Sequence, residues 1–124
     1  MLLIAAAIYH FLGGVFHLFF SKLLNWEEEL PKISFTNRQV MVILNNCLIV
    51  FFFSMSGFLF YFKDSLMQSE IGKGVLLLLA IFWVARFGMQ FYHFGKRSFT
   101  SRPLLLLTIA LTIGAVLHVG LLVM

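Results

Sequence analysis

The chain has 124 residues, 61% of them hydrophobic and only 11% charged, with a formal net charge of +4. A soluble domain carries roughly 25% charged residues, so lipid must be the solvent for much of this surface, and at this length a single domain, 1–124, is expected. The basic balance does not point to nucleic acid, because the charges other than Arg86 fall between the long apolar runs, where they orient a membrane protein.

Four apolar runs, about 2–20, 40–62, 75–94 and 103–124, are each close to the ~20 residues that cross a ~30 Å hydrocarbon core as an α-helix. The inside–outside alternation of barrel strands is absent from them. The expected class is therefore all-α: an antiparallel bundle of four transmembrane helices with short connections. The first run lacks the basic leader and small-residue cleavage pattern of a signal peptide. After it come Lys22, Lys32 and Arg38; between the third and fourth runs come Lys96, Arg97 and Arg102; between the second and third, only Lys63 and Lys73. The positive-inside bias places the first and third connections in the cytoplasm and both termini outside.

Local signals mark the expected ends. Thr36 and Gln39 form a capping-box pattern for the second helix, Ser101 and Pro103 suit the start of the fourth, and Trp26 and Tyr61 are placed for the headgroup region. The stretch 26–35 is the longest non-spanning segment and is expected along the cytoplasmic face. The single cysteine, Cys47, lies in an apolar run and excludes both an intrachain disulfide and a cysteine-based zinc site.

Polar residues inside the runs carry whatever chemistry there is, because such groups are expensive in lipid. Arg86 is the foremost, near the middle of the third run, with no carboxylate inside any of the other runs. Gln90 and His93 follow at i+4 and i+7, giving one stripe on one helix face. On the first helix His10, Gly13, Gly14 and His17 share a face. Counting ~1.5 Å per residue, His17, Asn45, Asn46 and Gln90 reach similar depths in the cytoplasmic half, which predicts a polar layer beneath Arg86.

The bland reading is helix glue, through close backbone approach and interhelical hydrogen bonds. It is preferred for Asn45, Asn46, Thr108 and Thr112, and for the glycines Gly13, Gly14 and Gly114. Arg86 is read instead as an anion site, for a lipid phosphate, a substrate carboxylate or an acidic side chain of another subunit. His10 and His118 fall at comparable depth on the first and fourth helices, and paired histidines on facing helices can ligate haem b. His10 and His17, only about 10 Å apart along their helix, are too close to serve two well-separated haems.

Several chemistries find no support. The spans hold no Asp or Glu for a proton relay or for Na⁺ or Ca²⁺. No HExxH, phosphate-binding glycine loop or GxSxG elbow occurs, and no base is marked for Ser54 or Ser56. No metal site and no catalytic residue is assigned.

Trp26 with its acidic neighbours, the Asn37-Arg38-Gln39 entry to the second helix, and Phe82-Trp83 with Arg86 and Gln90 resemble a pattern in a family of short, functionally uncharacterised bacterial four-helix integral membrane proteins. The resemblance spans most of the chain; it implies a bacterial inner-membrane setting and no activity. The leading expectation is a binding or accessory protein whose Arg86–Gln90 face, with His17, Asn45 and Asn46 near it, holds an anionic lipid, an amphipathic small molecule or a partner subunit. The alternatives are a haem b or quinone redox protein using His10, His17 and His118, and a small transporter assembled as a homo-oligomer.

Overall fold

A computed structural model describes all 124 residues and contains helices and turns only. Seven α-helices follow in order: α1 Leu2–Leu18, α2 Phe20–Leu23, α3 Trp26–Glu29, α4 Phe35–Tyr61, α5 Lys63–Gln68, α6 Glu70–Phe94 and α7 Arg102–Gly120. Two 3₁₀ turns, Leu30–Lys32 and Gly95–Phe99, precede α4 and α7. Three helices, α4, α6 and α7, are long and apolar enough to cross a membrane, which supports a membrane protein. The first apolar run yields a shorter helix: α1 has 17 residues, or about 26 Å at 1.5 Å per residue.

The chain divides into two compact units, Ala7–Tyr61 and Met1–Ala6 with Phe62–Met124. In the first, α1 and α4 meet through small and aromatic residues. A Cβ on Gly13 would lie 3.4 Å from the Phe52 ring, and one on Gly14 only 2.9 Å from Phe53. Ser56 Oγ ties the pair by donating to the Ala7 carbonyl at 2.8 Å. Trp26 is buried, edge-on to Phe20 at 5.6 Å, whereas Tyr61 is exposed as a headgroup-level ring would be. Between the helices the stretch 26–35 folds into α3 and a 3₁₀ turn, entered through Asn25 at φ 48°, a left-handed conformation that Asn tolerates better than most residues.

In the second unit α6 and α7 form an antiparallel hairpin, with buried Leu76, Leu79, Ala80 and Trp83 from α6 and Leu111, Ala115 and His118 from α7. Gly95, at φ 51°, ends α6 in a backbone conformation suited to glycine.

Helix ends differ from the sequence expectation where a better cap lies nearby. The Thr36–Gln39 box does not form, because α4 begins at Phe35 and Thr36 is already in its first turn. Ser34 takes the role, its Oγ accepting from the Asn37 N–H at 3.4 Å. α6 starts at Glu70, five residues before its apolar run, because Ser69 Oγ accepts from the Gly72 N–H at 3.0 Å. Ser101 stands at the N-cap of α7 with extended backbone but makes no side-chain cap bond.

Gly72 is where the second unit tolerates least. A Cβ there would collide with the Leu66 backbone of α5, while one on Gly74 would meet nothing within 4 Å. Backbone cannot swing aside as a side chain can, so Gly72→Ala is expected to destabilise by about 1–3 kcal/mol. Gly74→Ala should be neutral or slightly stabilising through helix propensity. Thermal unfolding of the two variants in detergent checks the contrast.

Candidate functional site

Trp83, Arg86 and Gln90 lie on one side of α6 at spacings that bring them to the face packed on α7. Gln90 is wholly buried, and its Nε2 donates to Thr108 Oγ1 at 3.4 Å. Thr108 in turn donates to the Leu104 carbonyl at 2.8 Å, with the Ser98 carbonyl also within reach at 3.3 Å. One hydroxyl thus links α6, α7 and the turn between them. Gln90 Oε1 and Ser98 Oγ are buried and accept or donate no bond within the chain, so the cluster carries an uncompensated desolvation cost.

Seven residues before Gln90, Trp83 is buried and stacks on His118, with ring centroids 5.6 Å apart at 27°. His118 is also wholly buried, and its Nδ1 lies 2.7 Å from the Gly114 carbonyl. A carbonyl only accepts, so Nδ1 carries the proton in this contact. The antiparallel register therefore puts Arg86 between two buried pairs, Gln90–Thr108 on one side and Trp83–His118 on the other. Arg86 itself is half-buried. His93, expected on the same stripe, is exposed, since it lies in the last turn, where α6 leaves the hairpin core.

The other unit holds the second polar group. His17 Nδ1 stands 2.9 Å from Asn45 Oδ1, and Asn45 Nδ2 donates to the His17 carbonyl at 3.1 Å. The amide engages both side chain and backbone of one residue, and the pairing fixes Nδ1 as the donor on the ring. The same imidazole stacks on Phe20 at 5.0 Å and 22°. His10, two turns earlier on the same face of α1, is wholly buried, with Phe52 at 5.7 Å and Phe51 at 6.2 Å.

Of the residues expected in a polar layer, the structure joins His17 with Asn45. Asn46, next in sequence, is exposed about 100° further round α4. Gln90 belongs to the hairpin cluster described above. Thr108, expected as helix glue, has that role here. Ser98 is not singled out by the sequence at all: it sits in the turn, where no periodicity marks a buried hydroxyl.

Comparisons with protein-family models, curated proteins and solved structures found no match for this chain. Function is accordingly inferred from the arrangement of these side chains.

The Thr108 hydroxyl is the joint of the hairpin cluster. Thr108→Val keeps the shape but strands the Gln90 amide, and is expected to cost about 1–3 kcal/mol. Thr112 donates only to its own helix, at the Thr108 carbonyl, so Thr112→Val should be close to neutral. Thermal unfolding of the pair, in the same detergent, separates a cross-linking hydroxyl from an idle one.

Proposed function

We propose that the protein is a four-span, multi-pass protein of the bacterial inner membrane that binds an anionic amphiphile, a lipid-like molecule with a phosphate or carboxylate head, at Arg86. The observation that carries this reading is a half-buried guanidinium inside α6, flanked by buried pairs, in a chain whose spans hold no carboxylate away from their ends. Neutral groups can bond a guanidinium but leave its charge in place, and an anion with a bidentate oxygen pair is its natural complement.

Three of the five carboxylates are taken by lysines next to or near them in sequence, and the other two, Glu27 and Glu28, lie outside the long apolar helices. Glu29 and Glu70 each hold a lysine three residues on, Lys32 and Lys73, at 2.7 Å, and Asp64 lies 3.7 Å from Lys63. These are local surface pairs at the helix ends. Gln90, bonded to Thr108, acts in this reading as a scaffold for the Arg86 face.

Native mass spectrometry in a mild detergent tests the proposal. The wild-type protein should retain an anionic lipid; Arg86→Gln should lose it by roughly tenfold or more, as expected for a charge-assisted bond, with folding intact. Arg86→Lys should retain part of the binding, because the charge stays and the fork is lost. Equal lipid retention by Arg86→Gln overturns the assignment.

Four spans require α1 to cross despite its length. A helix a few ångströms short is accommodated by local thinning at a modest cost, and the positive-inside count then puts both termini outside. In a Cys47→Ser background, a membrane-impermeant thiol reagent should label Leu2→Cys from outside intact cells lacking the outer-membrane barrier, and should not label Ser34→Cys. Labelling of Leu2→Cys only after the inner membrane is opened would show that α1 does not cross.

A further inference from the structure

α4 turns Phe52 and Leu59 inward and leaves several small or polar side chains on its outer surface, among exposed apolar ones. Phe52 and Leu59 are buried, with Asn45 and Ser56 bonded to α1 from the same side. The outer side carries Asn46, Cys47, Ser54 and Gly57 beside the larger Ile43 and Val50, all exposed and within one helical face at 100° per residue. A face that meets only acyl chains has no need of small or polar side chains. Helix–helix interfaces in membranes select both, because small residues let backbones approach and polar ones bond across the contact.

Asn46 is the decisive residue. It lies inside the apolar run 40–62, about 8 Å along the axis from the centre of that run at 1.5 Å per residue, within the ~15 Å half-thickness of a hydrocarbon core. At that depth no water competes for a carboxamide. Its neighbour Asn45 spends its amide on His17, while Asn46 points away from that contact and makes no hydrogen bond within the chain. It needs a partner from outside.

We infer that this face of α4 is the seat of a homodimer, with a second copy of the chain as its occupant. Two copies inserted in the same direction and related by a twofold axis normal to the membrane bring α4 against α4 in parallel, so the same patch serves both partners. A carboxamide is both donor and acceptor, hence complementary to itself across such an axis, as a buried Asn is in parallel coiled-coil dimers. The face is uncharged, so nothing repels its copy. At Gly57 an added Cβ would meet nothing within 4 Å. This glycine also borders a shallow groove with Ala7, Phe11, Ser56 and Phe60 that can receive a side chain of the partner.

The chain's one cysteine provides the test in native membranes. A short bismaleimide should join two copies through Cys47, giving a product of twice the chain's mass, and Cys47→Ser should abolish it. In that background Val50→Cys should restore the product, whereas Ile113→Cys, on the outward side of α7, should not. Asn46→Leu should lower the cross-linked yield roughly three- to thirtyfold, the range expected for an interhelical hydrogen bond, and Asn46→Gln should preserve much of it. Absence of the dimer from both Cys47 and Val50→Cys overturns the inference. So does an equal yield from Ile113→Cys, which signals random collision, or an undiminished yield in Asn46→Leu.

Discussion

Hydrocarbon offers no hydrogen bonds, so every polar group carried into it must be answered by protein or by a bound molecule. The rest of this structure follows from that constraint. Each unit is cross-tied by a polar residue that reaches over from one helix to its neighbour. Thr108 accepts from Gln90 of α6 and donates to the Leu104 carbonyl of α7, with the Ser98 carbonyl of the turn within reach. Asn45 of α4 takes both the ring and the carbonyl of His17 on α1. Hydrophobic burial cannot hold these helices in register, since lipid is as apolar as the helix surface. Registry therefore falls to the polar ties, and Gly13 and Gly14 leave room for the Phe52 and Phe53 rings where α1 meets α4.

The same constraint sorts the polar residues by what remains for them to do. A neutral amide or hydroxyl is discharged once it finds complementary partners, as Asn45, Ser56 and Thr108 do. A guanidinium is different, because bonds to neutral groups leave its charge in place in a medium of low dielectric. In the readings proposed above, an anion answers the charge of Arg86 and a second copy of the chain answers the amide of Asn46.

Much of the fold was legible because helix formation in an apolar run leaves little choice. The last three runs became α4, α6 and α7 with at most a few residues' error at each end, and those errors have local causes. Ser34 caps before Thr36 can, and Ser69 starts α6 ahead of its apolar run. The first run was legible as helix, but its length as a span was not: residues 19 and 20 are apolar enough to extend the run, yet the backbone breaks at Phe19 before α2. Counting along the helices set His17, Asn45, Asn46 and Gln90 at one level, and of these the structure joins only His17 with Asn45. Rotation about the helix axis was not readable, because two adjacent asparagines at one depth point about 100° apart. That is why Asn45 and Asn46, alike in sequence, have opposite fates.

This rotation also bears on how α4 should be understood. Hydrophobicity hardly distinguishes its faces, because Phe, Leu and Val occur all around. Polarity distinguishes them better: Asn45 and Ser56 are bonded to α1, whereas Asn46, Cys47 and Ser54 are turned away from it. If lipid alone covered the outer side, replacing Asn46 by leucine would remove a desolvation cost and gain apolar contact, and the substitution would be favourable. In the proposed dimer that desolvation cost is offset by the copy of the same amide across the twofold axis. Cys47, Ser54 and Gly57 on the same face leave the second copy room to approach between the larger Ile43 and Val50.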